Sequence, residues 1–329
     1  MRPLTFGVLV SVGPGGSPHL PADLRVQGAD RNLEGLLDLR SASDITSALR
    51  ALGHEARPLA ADDDLDLTLR QSEVDACLLA LHGRRGGQGD VQSLLTLRSV
   101  PYAGPPAAAV ALAFDKVRSR QMLAYHNLPV PAAVALGGAR KPNDRALELL
   151  GWPCVVKPRR GAGGLGVALL RSVEQLREAF DRALDVDDEL VLERAMDGVE
   201  VQVVLVGDRV LGSMELTRPF EESCPGAERE MVCPPRLGHA RLDGVHAMAR
   251  RAVTALGLED GITRVDVLVT DRHNEVILEV EPLPPLHREG VVARVARAAG
   301  FAYESLVAEL VDRIMLRVPE PRLQSTMLQ

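Results

Sequence analysis

Ile262–Pro282 reads ITRVDVLVTDRHNEVILEVEP, two runs rich in Val, Ile and Leu around a polar Asp271-Arg272-His273-Asn274 turn. That pattern predicts a β-hairpin. Side chains alternate between strand faces with period two, so Arg264 and Asp266 share one face of the first strand and Glu279 and Glu281 one face of the second. Val265, Val267, Leu278 and Val280 are expected on the opposite, core face. If the charged faces coincide, three carboxylates and one guanidinium meet across the pair. Like charges at that distance repel unless something positive joins them. Arg264 offsets one, and a divalent cation, which prefers hard oxygen ligands, would offset the rest. A solvated hairpin face would carry the same charges, but strands this apolar do not make an ordinary edge. Asp266, Glu279 and Glu281 are therefore the candidate metal ligands.

Around this hairpin lies a chain of 329 residues with net charge −7, 46% hydrophobic and 3% aromatic content. The length suits two or three domains with an aliphatic core. Mixed charge throughout argues against nucleic acid as a partner. No apolar run is long enough to span a bilayer. Leu4–Val12 reads as a first strand rather than a signal peptide. Cys77, Cys154, Cys224 and Cys233 show no CxxC spacing and read as buried thiols. Together these predict a cytoplasmic protein with no membrane or nucleic-acid partner.

The first hundred residues alternate strands (Leu4–Val12, Glu55–Leu59, Ala76–Leu81) with helical spacing, which predicts an open α/β sheet. Residues 13–32 are polar and Gly/Pro-rich, too long for an ordinary connection and so an insertion, flap or loop. Ser41 and Asp44 read as a weak capping box for a helix that Gly53 stops. His82–Asp90, HGRRGGQGD, follows a strand and precedes a helix, where open α/β sheets bind ligands; a flexible turn alone would also explain its glycines. Farther on, Lys116 sits in a helical run. Lys157 ends a strand and enters the loop Arg159–Gly166, RRGAGGLG, whose glycines could cradle phosphate oxygens. A strand follows this loop, which excludes both the Walker A and the dinucleotide fingerprints. Two amphipathic helices close the chain.

Seven segments in this order, LALHGRRGGQGDVQSLL, PYAG, FDKVRSRQML, LPV, VVKP, LVLERAMDG and RVDV, resemble the ATP-grasp superfamily. Within it the chain is most similar to the D-alanine–D-alanine ligase family. That resemblance implies an α/β, ATP-grasp fold. An N-terminal open α/β substrate domain (1–104) would precede a two-part ATP-grasp unit, with a central subdomain carrying the Gly-rich loop (105–193), a C-terminal subdomain with the metal site (194–316) and a tail (317–329). It implies ATP and Mg²⁺, with Lys116 and Lys157 on the α- and β-phosphates and Gly161, Gly163 and Gly164 in the closing loop. Glu193 and Ala195 would sit at the adenine and Glu200 at the ribose. Asp266, Glu279 and Glu281 would hold Mg²⁺, and Arg264 would stabilise the oxyanion. His82 joins Arg264 as a catalytic candidate. The implied chemistry phosphorylates a carboxylate and lets an amine attack the acyl phosphate, releasing ADP and phosphate. The substrates are small carboxylates and amines, and a homodimer is the family's default.

The chain also departs from that family. Glu281 stands where the family has a metal-ligating Asn. Pro285 falls where a Gly donates a backbone N–H, which proline lacks, and Gly290 falls where a Ser hydroxyl is used. Ser223-Cys224 replaces a Lys-Tyr pair, and Gly163 a Ser. The glutamate that grips the first ammonium has no clear counterpart: Leu36 falls there, with Glu34 and Asp38 nearby. Hence substrates other than two D-alanines are expected, with His287 or Arg288 taking over part of the acceptor site. A nucleotide-binding protein without turnover is the alternative; intact Arg264, Asp266 and Glu279 favour the enzyme.

Overall fold

The computed structural model describes residues 3–11, 33–137, 142, 144–216, 230–271 and 274–316. The 13–32 insertion, the hairpin-turn residues Arg272 and His273, the Ser223-Cys224 pair and the 317–329 tail lie outside them.

Three sheets organise the chain. The first has strands β1 (Thr5–Val10), β2 (Glu55–Ala60), β3 (Ala76–Ala80) and β4 (Tyr102–Ala103), all parallel in the order β2-β1-β3-β4. β1 and β3 are buried almost throughout, as expected of a parallel sheet covered on both faces. The second sheet is antiparallel, with β5 (Ala133–Gly137), β6 (Cys154–Pro158), β7 (Ala168–Leu170) and β8 (Glu189–Arg194) in the order β5-β8-β6-β7. The third contains β9 (Val199–Val206), β10 (Arg209–Leu216), β11 (Met231–Val232), β12 (Ile262–Val269) and β13 (Val276–Glu281) in the order β11-β10-β9-β12-β13.

Packing ties these sheets together. Phe6, Val8 and Val10 of β1 share one core with Ile45 and Leu49 of helix Leu33–Ala51 and with Leu306, Leu310 and Ile314 of helix Tyr303–Met315. The stripe expected on the last helix is thus buried against the N-terminal sheet. Helices Ala107–Phe114 and Lys116–Tyr125 bury Ala109, Ala113 and Leu123 with Val201 of β9 and with Val265 and Val267 of β12.

Two local expectations are corrected. Helix Leu33–Ala51 begins well before Ser41, which therefore caps nothing. Ser41 and Asp44, three residues apart on one helical face, instead reach the loop after β13: the Ser41 hydroxyl accepts from Leu286 N at 3.2 Å and Asp44 from Arg288 N at 2.8 Å. In the hairpin, a bulge between Asp266 and Val267 pairs Val267 with Ile277. Ile277 accordingly joins Val265, Val267 and Val280 in the core, while Leu278 turns to the cavity described below.

Candidate active site

The charged faces of β12 and β13 do coincide, with Arg264 opposite Glu281 and Asp266 opposite Glu279. They form one wall of a cavity of about 400 Å³ whose other walls include Lys116, Lys157 and the loop from Gly161 to Leu165. Glu193, Ala195 and Glu200 line it too, with apolar Val155, Leu169 and Leu268. An apolar slot ending in a few convergent charges is the usual make-up of a small-molecule site.

Three cations of the cavity, Arg264, Lys116 and Lys157, each already hold an anion. Arg264 donates to both oxygens of Asp266, Nε–Oδ1 at 2.7 Å and Nη2–Oδ2 at 2.9 Å. Lys116 Nζ pairs with Glu279 Oε1 at 2.8 Å and donates to Gly161 O at 2.6 Å, joining the hairpin to the base of the Gly-rich loop. Lys157 Nζ pairs with Glu193 at 2.8 Å, and Arg120 takes the other oxygen of that buried carboxylate at 2.9 Å. Glu193 thus lines the cavity chiefly as the anchor of Lys157. Ala195 gives its N–H to Pro153 O, and Glu200 accepts from the Gln202 amide at 3.0 Å. Arg120 was not singled out from the sequence. Its signal is its place four residues after Lys116, on the same helical face.

Electrostatics follow from this pairing. Burial works to raise Glu279, but Lys116 outweighs it and holds the carboxyl below its ordinary range. Burial pushes Asp266 up against the pull of Arg264, and Arg264 itself is held charged by Asp266, which overcomes its own burial. Glu281 is pushed up to about 7, chiefly by burial. Its carboxylate has no hydrogen-bond or ion-pair partner among the described residues, and no three of their His, Cys, Asp or Glu side chains are preassembled for a metal. The donor chemistry nevertheless fits a hard divalent cation: Glu281 is unpartnered, and Glu279 and Asp266 beside it would be freed if Lys116 and Arg264 turned to a ligand.

The glycines differ in what they do. Gly163 and Gly164 have φ of 64° and 74°, the left-handed region open to glycine, and a Cβ on Gly164 would meet nothing within 4 Å. That loop presents bare backbone toward the cavity. In His82–Asp90 the glycines serve packing: the chain forms a short helix Gly83–Gly87, and a Cβ on Gly87 would lie 2.4 Å from the Phe114 ring. Of that stretch His82 is the residue placed for chemistry, buried and bonded through Nδ1 to Asp38.

The two acceptor-site candidates separate. Arg288 pairs with Glu304 at 2.6 Å and lies 4.4 Å over the Tyr303 ring, so its guanidinium is spent within the helix-to-loop contact. His287 is half-buried, and its imidazole is held below its ordinary range first by burial and then by Arg40. A Cβ on Gly290 would come within 3.2 Å of His287 Nε2. The imidazole therefore crowds the position where the side chain of a serine at 290 would begin.

Comparison with known proteins identifies the family. The family profile described as D-ala D-ala ligase C-terminus matches residues 123–312. The D-alanine–D-alanine ligase of Geobacter sulfurreducens is 32% identical, over 86% of this chain and 90% of its own length. That of Gloeobacter violaceus is 33% identical, over 84% and 94%. Among solved structures, the D-alanine–D-alanine ligase of Bacillus anthracis complexed with ATP superposes with TM-score 0.80 at 22% identity, covering 95% of this chain and 98% of that one. With its ATP-grasp architecture and a match across more than half its length, the chain belongs to the D-alanine–D-alanine ligase family of ATP-dependent, ADP-forming carbon–nitrogen ligases.

Proposed function

We propose that this protein joins a small carboxylate to a small amine through an acyl phosphate, and that its substrates are not a pair of D-alanines. The observation that carries the reading is the contrast between the cavity and the loop that follows β13. The cavity keeps Lys116, Lys157, the Gly163–Gly164 loop, Arg264 and the three carboxylates together. The following loop has Pro285 without an N–H, Gly290 without a hydroxyl, and the His287 imidazole packed close against Gly290. A site that has lost its hydrogen-bonding partners for a polar group loses the energy with which it selected that group.

In this reading Lys116 and Lys157 release Glu279 and Glu193 to take phosphate oxygens as charge-assisted hydrogen bonds. The bare N–H groups at Gly163 and Gly164 close over the phosphates. Val155, Leu169 and Leu268 enclose the base beside Ala195. Glu279, Glu281 and Asp266 would hold Mg²⁺, which when bound supplies neutralising charge at the transferring phosphoryl group. Arg264 lies next to them, where it can meet the oxyanion of a tetrahedral intermediate. A cytoplasmic homodimer is the setting that goes with this reading; no helix among the described residues is long and apolar enough to cross a membrane.

The test is ADP release from Mg·ATP against a panel of amino acids, hydroxy acids and short peptides. ADP release that depends on a carboxylate–amine pair other than two D-alanines is expected. Robust D-alanyl-D-alanine formation would overturn the substrate reading, and ATP binding without turnover on any pair would overturn the ligase reading.

A further inference from the structure

Asp38 is a carboxylate with no solvent exposure on the buried stripe of helix Leu33–Ala51, in register with Ala42, Ile45 and Leu49. A bare charge there would be costly, and two partners compensate it. One oxygen bonds His82 Nδ1 and the other accepts from the Ser11 hydroxyl. Ser11 directly follows β1 and His82 lies two residues past the end of β3, on adjacent parallel strands. The trio therefore sits at the carboxyl edge of the sheet, where open α/β folds place their ligand sites. A carboxylate only accepts, so the hydrogen between the two groups belongs to Nδ1 of His82, and in the neutral ring the lone pair is then on Nε2, across the ring from Asp38. Leu283, two residues after Glu281, packs against the cluster that holds Leu79 and Leu81, and Leu286 N bonds Ser41 on the helix that carries Asp38, so the loop after β13 runs beside the end of β3 where His82 sits.

We propose that Asp38 is a positioning residue: it fixes His82 in the Nδ1–H tautomer, so that Nε2 receives the proton of the acceptor amine as that amine attacks the acyl phosphate. This rests on the ligase reading above. In the step, the amine nitrogen forms a bond to the carbonyl carbon and the carbonyl π pair moves to the oxygen that faces Arg264. Collapse returns that pair, breaks the carbon–oxygen bond to phosphate and releases inorganic phosphate. The surplus proton of the new amide nitrogen goes to His82 Nε2. The arrangement is that of a base held by a third, buried group.

A buried Asp–His pair also ties a helix to a strand end, so the test reads what a tie would not move. Full-length protein labelled with ¹⁵N-histidine, its His82 signals identified by their loss in H82Q, reports the tautomer in long-range proton–nitrogen spectra. Nδ1–H is expected in the parent and its loss in D38N. In kinetics with Mg·ATP and D-alanine, glycine and L-alanine as carboxylates and amines, D38N should lower kcat for amide formation by about 10²–10⁴-fold, the usual contribution of a positioned base. Hydroxylamine, a nucleophile that needs no base at neutral pH, should still trap the acyl phosphate, with a far smaller loss. Nε2–H in the parent, or equal loss of amide and hydroxamate, overturns the proposal. Where D38N does not fold, S11A removes one of the carboxylate's two donors and should depress amide formation over hydroxamate in the same selective way; parallel losses count against it. If the parent turns over none of these substrates, the ligase reading is what fails on that panel, and the tautomer alone decides the assignment of Asp38.

Discussion

The hairpin β12–β13 and the loop that follows it, Pro282–Gly290, adjoin in sequence and use their charges in opposite ways. In the hairpin, Arg264 holds Asp266 and Lys116 holds Glu279, and each pair faces a cavity. In the loop, polar groups bind other parts of the fold: Leu286 N to Ser41, Arg288 N to Asp44, the Arg288 side chain to Glu304, and Tyr303 OH to Leu286 O at 2.5 Å. The first set is exchangeable. A phosphate can take a lysine from a glutamate, and the freed glutamate can then take a cation, so nucleotide and metal should each strengthen the other's binding. The second set lies off the cavity, with Ser41, Asp44 and Glu304 holding the loop to two helices of the fold. Proximity to an active site does not make a charged residue part of it.

The largest effect should come from breaking the first set where it is most buried. Arg264→Ala leaves Asp266 uncompensated, and removal of one partner of a buried pair typically costs about 3–5 kcal/mol. The double variant R264A/D266N should recover much of that stability in urea denaturation. Neither should recover turnover, since loss of an oxyanion donor alone lowers kcat by about 10²–10³-fold. Additive destabilisation in the double variant would mean the pair is not the unit described here. Next in size is Lys157→Ala. A hydrogen bond to a charged group contributes roughly 1.5–3 kcal/mol, so the Kd for Mg·ATP by calorimetry should rise by one to two orders of magnitude. Unchanged affinity would move the phosphates away from Lys157.

A third prediction sharpens the contrast through pH. Glu281 is raised by burial to about 7 from an ordinary 4.5. The folded state therefore binds its proton more tightly than the unfolded chain does. The stability this contributes is complete below about pH 4.5 and is lost as pH rises through about 7. E281N should flatten that part of the stability–pH curve without Mg²⁺. A divalent cation favours the ionised form, so stabilisation by Mg·ATP should be greater above neutrality than below it in the parent. Parallel curves for parent and E281N would show that Glu281 keeps its ordinary ionisation.

How much of this was legible in the sequence depends on the range of the interaction. The period-two pattern of the hairpin placed Arg264, Asp266, Glu279 and Glu281 on one face, and β12 and β13 pair them as expected. What that pattern could not show was the bulge after Asp266, which exchanges Ile277 for Leu278 on the core face, because a bulge shifts register with no change in composition. Ser41 and Asp44 read as a cap since serine followed three residues later by an acid is a local signal. Their partners at Leu286 and Arg288 lie more than 240 residues away and leave no local trace. Asp38 was noted only as lying near the place of the family's ammonium-gripping glutamate, and its bond to His82 was missed for the same reason. Its position four residues before Ala42 puts it on the buried stripe only once the helix is known to begin at Leu33. The lysines of the cavity were found, but not that each already has a glutamate.

The smallest effect tests the loop itself. Arg288 and Glu304 remain over a third exposed, at 36% and 38% of their side chains. Solvent screens such a pair, and exposed pairs contribute about 0–1 kcal/mol. Stacking on Tyr303 adds a further fraction, about 0.5–1 kcal/mol for an exposed cation over an aromatic ring. Arg288→Ala should therefore lower stability slightly and, on an active substrate pair, leave the acceptor's KM and kcat within about twofold, as surface substitutions away from a site do. His287→Ala should behave differently. Its imidazole has no hydrogen-bond partner among the described residues and abuts Gly290, so removing it takes away a group available to the acceptor and opens the space a serine side chain would fill. The acceptor's KM should rise several-fold, in line with about 0.5–1.5 kcal/mol for one neutral hydrogen bond, with kcat little changed if the contact is made equally in ground and transition states. The double variant H287A/G290S then restores a hydroxyl where the family has one and should shift preference toward amino acids with a free carboxylate. If R288A rather than H287A moves the acceptor's KM, the guanidinium leaves Glu304 during turnover, and the loop is as exchangeable as the hairpin.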